Sequence, residues 1–96
     1  MPAQLLSPAG LTAALATAPE WRHEGTEIRR SVKFPTFLKG IEAVNRVALA
    51  AEKADHHPDI DIRHRRVTFA LTTHSSGGLT ERDFALARQI DGLLLD

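Results

Sequence analysis

Seven residues in two short runs carry most of the chemistry open to this chain: Glu52, Asp55, His56 and His57 in EKADHHP, and Thr72, Thr73 and His74 in TTH. Three of the five histidines stand there. Imidazole titrates near pH 6.5 when unperturbed, so histidines gathered on one cleft donate and accept protons around neutrality, and a carboxylate such as Asp55 can fix a tautomer. That equipment suits acid–base work on a neutral or weakly polar ligand. Histidines with a carboxylate also bind zinc. Adjacent His56 and His57 diverge in a helix or a strand, however, and only an irregular loop would turn both toward one ion, so no metal is expected. A plainer role also fits His56 and His57 taken alone, because an imidazole near a helix carboxyl end interacts favourably with its dipole.

Whether the two runs meet depends on the elements that carry them. Phe34, Phe37, Leu38, Ile41, Val44, Ala48 and Ala51 recur at three- and four-residue steps. This periodicity predicts the main amphipathic helix from Phe34 to about Ala54, ending before Pro58 because proline disfavours helical geometry at the preceding His57. Gly40 inside it marks a close contact with a neighbouring element. His56 and His57 then stand at the exit from helix to loop. Ile60, Ile62 and His64 alternate with charged residues, and Val67, Phe69 and Leu71 alternate with Thr68, Ala70 and Thr72, which reads as a hairpin turning around Arg65 and Arg66. Parity places His74 with Thr72 and Ala70, opposite the apolar row and away from the core.

Upstream, Ser7-Pro8 is a helix-start signal for a short helix through Leu11, Leu15 and Ala16, stopped by Pro19. Glu27 to Lys33 reads as a half-buried strand paired with Trp21 to Glu24 across a turn at Gly25. Downstream, Ser75-Ser76-Gly77-Gly78 is a loop, and Thr80-Glu81-Arg82-Asp83 resembles a capping box opening a helix with a Leu86, Ile90, Leu93 and Leu94 stripe. The order is helix, two strands, helix, two strands, helix. An α+β fold satisfies it, with a four-stranded antiparallel sheet and three helices packed on one face.

Other candidates have plainer readings. Gly77-Gly78 lacks a phosphate-loop fingerprint, Arg63-His64-Arg65-Arg66 reads as a solvated hairpin tip, Trp21 as core or interface, and Asp83 first as a helix-cap carboxylate.

Composition bounds the rest. The chain has 96 residues, 43% hydrophobic, with 12 Lys+Arg against 12 Asp+Glu and no cysteine. We read residues 1–96 as a single domain. A chain this short buries only about 60–65% of its unfolded surface, so its site should be a shallow cleft or shared between subunits. Balanced charge gives no field to attract nucleic acid or an anionic membrane. The absence of cysteine excludes disulfides and thiolate chemistry. The longest apolar run, Val47 to Ala51, falls far short of the roughly 20 residues that span a bilayer. The small-residue stretch LTAALATA near the amino end lacks the basic leader of a secretory signal, and a cytoplasmic location is expected.

Glu52-Lys53-Ala54-Asp55-His56-His57-Pro58, then Val67 to His74, then Gly78-Leu79-Thr80-Glu81-Arg82-Asp83 strongly resembles the pterin-4a-carbinolamine dehydratases. The likeness runs back through Val32, Phe34 and Phe37 to Trp21. The resemblance implies dehydration of 4a-hydroxytetrahydropterin to quinonoid dihydropterin, a lyase reaction that recycles the tetrahydrobiopterin cofactor of aromatic amino acid hydroxylases without metal or organic cofactor. Carried over by position, it implies His56 and His74 as acid and base, and His57 in binding and orientation with a share in catalysis. Asp55 would orient a histidine or contact the pterin, Thr72 and Thr73 would lend backbone or hydroxyl hydrogen bonds, Trp21 would border the pterin, and Asp83 would support a histidine. Two departures, Ile60 for an aromatic residue and His64 for a tyrosine, fall on one face of the third strand. The same fold also serves non-catalytic dimerisation or assembly cofactors, and action on another pterin, as in molybdopterin metabolism, would keep the site. A homodimer or dimer of dimers is expected, burying the stripe of Leu86, Ile90, Leu93 and Leu94.

Overall fold

Apolar periodicity and capping chemistry fix the elements of the computed structural model, which describes residues 3–94. Helix α1 (Pro8–Ala16) starts where the Ser7 hydroxyl accepts from the Gly10 N–H at 3.0 Å. Strands β1 (Arg22–Glu24) and β2 (Glu27–Lys33) flank a turn in which Gly25 takes φ 61°. Helix α2 (Phe37–Ala54) is followed by β3 (Asp59–Arg63), β4 (Arg66–Leu71), a single 3-10 turn (His74–Ser76) and α3 (Glu81–Leu93). The predicted order and class are those observed. Met1, Pro2, Leu95 and Asp96 of the expected 1–96 domain lie outside the described residues.

The sheet is antiparallel in the order β1-β2-β4-β3. Register aligns Ile28 with Leu71, Val32 with Val67, and Phe69 with Ile60. These side chains share the face covered by helices, since successive strand residues alternate sides. Ile28, Val67, Phe69 and Leu71 are wholly buried there, against Val47 of α2 and Phe84, Leu86 and Ile90 of α3. The opposite face carries Ser31 and Thr68, whose hydroxyls meet at 2.7 Å, with Asp61 beside them in register.

Three expectations change. Helix α2 begins at Phe37 rather than Phe34, because Thr36 caps it by accepting from the Lys39 N–H at 3.1 Å. Phe34 instead packs on Gly40, where an added Cβ would lie 3.3 Å from the Phe34 ring and 3.4 Å from Val67, so glycine there permits close approach. The β3–β4 turn is His64-Arg65, with His64 at φ 53° and Arg66 already in β4, so His64 does not share a strand face with Ile60. Finally, Leu86 and Ile90 are buried within this chain's own core and Leu93 and Leu94 are half-buried against it, so much of that stripe is already covered within one chain. The large apolar residues exposed on α2 are Phe37, Leu38 and Leu49.

Candidate active site

Helix α2 ends in a sequence that forces the histidines out of the helix. Asp55 adopts the left-handed conformation (φ 49°, ψ 45°), its N–H bonds the Glu52 carbonyl at 3.2 Å, and the His56 N–H bonds the Ala51 carbonyl at 3.1 Å. This is the Schellman arrangement, with aspartate in place of the usual glycine. It sends His56 inward and leaves His57 outside.

His56 is 7% exposed, and its Nε2 lies 2.6 Å from Oδ1 of Asp83, which is wholly buried. The other carboxylate oxygen, Oδ2, accepts from the Thr73 hydroxyl and the Thr80 N–H, both at 2.9 Å. Thr73 Oγ1 also lies 2.8 Å from Thr80 Oγ1, and Thr80 Oγ1 accepts from the Arg82 N–H at 3.2 Å. A carboxylate taken out of water is tolerable only when its oxygens are bonded in this way. Because a carboxylate accepts, the bond assigns the ring proton to Nε2 of His56, leaving Nδ1 as the nitrogen that exchanges protons. The capping box expected at Thr80 is present, and Asp83 serves both the cap and the histidine.

His57 meets a different carboxylate. Its Nε2 is 2.5 Å from Oε2 of Glu52, one helical turn back, with both side chains largely in water. His74 opens the 3-10 turn after β4, exposed, with no hydrogen-bond partner on its ring among the described residues. Its exposure agrees with expectation, but the cause is the end of β4 at Leu71 rather than strand parity.

Asp55, His56, His57, Thr72, Thr73, His74, Ser75 and Arg82 line one open cleft of about 240 Å³. The structure therefore gathers three histidines from the ends of two distant elements. It departs from expectation in detail. The carboxylates that orient histidines are Asp83 and Glu52, whereas Asp55 offers its backbone oxygen to Arg82 Nη2 at 2.7 Å. Thr72 gives its hydroxyl to the Thr26 carbonyl, Thr73 gives its own to Asp83, and the Thr73 backbone N–H and carbonyl are both bonded within the following loop, so of the two residues it is the Thr72 backbone that can meet a ligand. Trp21 is not brought to the cleft: it is 4% exposed and its indole N–H donates to Oδ1 of Asp91 at 2.8 Å, which also binds Arg30. Arg82 and Ser75 are the lining residues that sequence reasoning missed. Arg82 stands beside Asp83 in the first turn of α3, so the capping-box motif was the available signal.

A larger groove of about 620 Å³ lies between α2 and α3, lined by Leu49, Ala50, Ala54 and Leu93 among others, without a histidine or carboxylate. Chemistry therefore concentrates in the smaller cleft. No three His, Asp or Glu side chains converge as a metal-ligand set among the described residues, and no helix among them is long and apolar enough to cross a membrane.

Comparison with known proteins covers nearly the whole chain. The family model described as pterin 4 alpha carbinolamine dehydratase matches residues 4–93. A Mycolicibacterium smegmatis protein described as "Putative pterin-4-alpha-carbinolamine dehydratase" is 56% identical over 92 residues, covering 96% of this chain and 98% of its own. A Mycobacteroides abscessus protein of the same description is 58% identical over 87 residues, covering 91% of this chain and 93% of its own. Among solved structures, a Brucella melitensis "transcriptional coactivator/pterin dehydratase" superposes with a TM-score of 0.91 at 33% identity, over 96% of this chain and all of that one. A pterin dehydratase-like RuBisCO assembly factor of the alpha-carboxysome shares the fold, with a TM-score of 0.67 at 22% identity over 78% of this chain and 89% of its own.

Proposed function

The chain belongs to the pterin 4 alpha carbinolamine dehydratase family, and from that premise we propose that it removes water from a 4a-hydroxytetrahydropterin to give the quinonoid dihydropterin. The C4a–O bond breaks, N5 loses its proton and a C4a=N5 double bond forms. One acid proton leaves with the hydroxyl as water, and one base accepts the N5 proton, so the reaction balances without an oxidant or reductant. General acid–base catalysis of this kind contributes typically ~10²–10⁴-fold.

The observation that carries the reading is the meeting of His56, His57 and His74 on one cleft. His56, backed by Asp83, and His74, free at its ring, are the proposed proton-transfer pair. His57, held by Glu52, binds and orients the substrate with a share in catalysis. Backbone groups of Thr72 hold the heterocycle's polar edge, Asp55 contacts it, and Thr73 supports the site through its hydroxyl bond to Asp83. Trp21 reaches a pterin only if that ligand extends beyond the cleft. We further propose that the single domain acts in the cytoplasm as a homodimer or dimer of dimers, and that its product re-enters the tetrahydropterin cycle of aromatic amino acid hydroxylation.

The competing reading is an interaction or assembly role on the same fold, the kind of activity the Brucella protein's description pairs with dehydration. Fold alone does not decide between them. The three histidines favour the enzyme. Stopped-flow ultraviolet absorbance of 4a-hydroxytetrahydropterin decay, in chelator-containing buffer, separates the two. Wild type should accelerate decay, and His56→Ala and His74→Ala should each lower that acceleration by about 10²-fold or more. A folded wild type that leaves the decay at its background rate overturns the enzyme reading.

A further inference from the structure

Before α1, the hydrogen bonds and the β-bridge of the segment from Ala3 to Leu6 converge on one other stretch of chain. Leu5 forms an antiparallel bridge with Thr80, the Leu6 N–H donates to the Leu79 carbonyl at 3.0 Å, and the Ser76 hydroxyl donates to the Ala3 carbonyl. The Leu5 side chain also rests on Gly78, where an added Cβ would come within 3.1 Å of it. Every one of these partners belongs to the loop that carries His74.

That loop is closed on itself as well. The Thr73 N–H bonds the Gly78 carbonyl at 3.0 Å, and the Gly78 N–H returns to the Thr73 carbonyl at 3.3 Å, enclosing His74 to Gly77. Its outgoing limb is anchored through Thr73 to Asp83, and its return limb, Gly78 to Thr80, is what the amino-terminal segment grips. Core burial does not explain the segment well. Leu5 is 56% exposed and Gln4 is exposed, so only Leu6 adds appreciably to the core. What the segment supplies is backbone hydrogen bonding along one edge of the His74 loop.

We propose that Ala3 to Leu6 is a strap that positions His74, by fixing the return limb of its loop so that the imidazole keeps its approach to the cleft. His74 needs such help: it is exposed, and no hydrogen bond on its ring holds it among the described residues. Displacement of a reacting group by a fraction of an ångström is enough to slow proton transfer. The functional half of this inference rests on the dehydratase reading, while the mechanical half stands on the contacts alone.

Two substitutions in the full-length chain test it. Leu6→Pro deletes the N–H that bonds Leu79, and Ser76→Ala deletes the hydroxyl that bonds Ala3, while neither residue lines the cleft. Each lost hydrogen bond should speed amide exchange at Gly77 and Gly78 by roughly 2- to 10-fold relative to the amides of β4. In the same variants kcat should fall by roughly 3- to 10-fold with a smaller change in KM, and Ser76→Thr, which keeps the hydroxyl, should restore it. Unchanged loop exchange overturns the strap. Faster exchange with kcat unchanged, or a lower Tm with kcat unchanged, overturns its positioning role. If wild type does not dehydrate the substrate, the dehydratase reading falls, and exchange alone decides whether the strap holds the loop.

Discussion

His56 and His57 are neighbours in the chain, and each has a carboxylate oxygen close to Nε2, at 2.6 and 2.5 Å. The two pairs nevertheless occupy different worlds. His56 and Asp83 are buried and joined to Thr73 and Thr80 in a closed network. His57 and Glu52 stand in water, with 57% and 75% of their side-chain surface exposed. Similar distances therefore carry unequal weight: an exposed histidine–carboxylate contact contributes at most about 1 kcal/mol, whereas removing one member of a buried pair leaves the other uncompensated, at about 3–5 kcal/mol. The difference assigns the two histidines different work. His56 is a rigid group whose proton position is set by its partner, and His57 is an adaptable one.

The largest effect should come from breaking the buried pair. Asp83→Ala leaves His56 Nε2, the Thr73 hydroxyl and the Thr80 N–H without their acceptor, and urea unfolding should show a loss of about 3 kcal/mol or more. Asp83→Asn sharpens the point. Its amide oxygen can still accept from Thr80, but its N–H₂ then faces His56 and drives the ring proton to Nδ1. The ¹⁵N shifts of His56 should report the exchanged tautomer, with the dehydration rate down by about 100-fold. An Asn variant with wild-type rate would show that the tautomer of His56 is irrelevant to turnover.

This pair also marks where sequence reading stops. Periodicity located α2, β4 and α3 because each has one apolar face, and the cap at Thr80 followed from a local pattern of four residues. The bond from His56 to Asp83 spans 27 positions and has no local signature, so Asp83 was legible as a cap and as a family match but not as a histidine's partner by spacing. Trp21 shows the same boundary, since its acceptor, Asp91, lies 70 positions away. The His64 turn was misplaced by one residue because nothing in Arg-His-Arg-Arg announces a positive φ, which glycine or asparagine would have done.

His74→Ala probes the opposite limit, a residue with a proposed chemical role and no structural one. Thermal unfolding should move little, since substitutions at exposed, unpartnered positions usually stay within about 0.5 kcal/mol, while the rate falls by about 10²-fold or more. A large loss of stability would instead place His74 with His56 as part of the framework.

Arg82 lies between these cases. Its guanidinium reaches from α3 to the Asp55 carbonyl at 2.7 Å, so the first turn of α3 holds the histidine turn twice, through Arg82 on the backbone and Asp83 on the side chain. Arg82→Met keeps the side chain's length and removes the donor. A hydrogen bond from a charged donor to an exposed acceptor supports a loss of about 1 kcal/mol, and the left-handed Asp55, which no longer has its carbonyl held, should loosen His57 more than His56. KM should rise several-fold, with kcat lowered less, and the His56 tautomer should stay as in wild type. A changed His56 tautomer in this variant would mean that the two grips are not separate.

Glu52→Gln should have the smallest effect, and it tests the comparison at its weaker end. Glutamine preserves the size and the hydrogen bond to His57 and removes only the charge, in a pair that solvent already screens. Stability should change by less than about 0.5 kcal/mol, and the dehydration rate by about two- to threefold, with that change shrinking as salt is raised. A loss of tenfold or more that persists at high salt would mean that Glu52 acts on the substrate itself rather than through His57. The exposed pair would then rank with the buried one as reaction machinery, and the division of labour between the neighbouring histidines would have to be redrawn around Glu52.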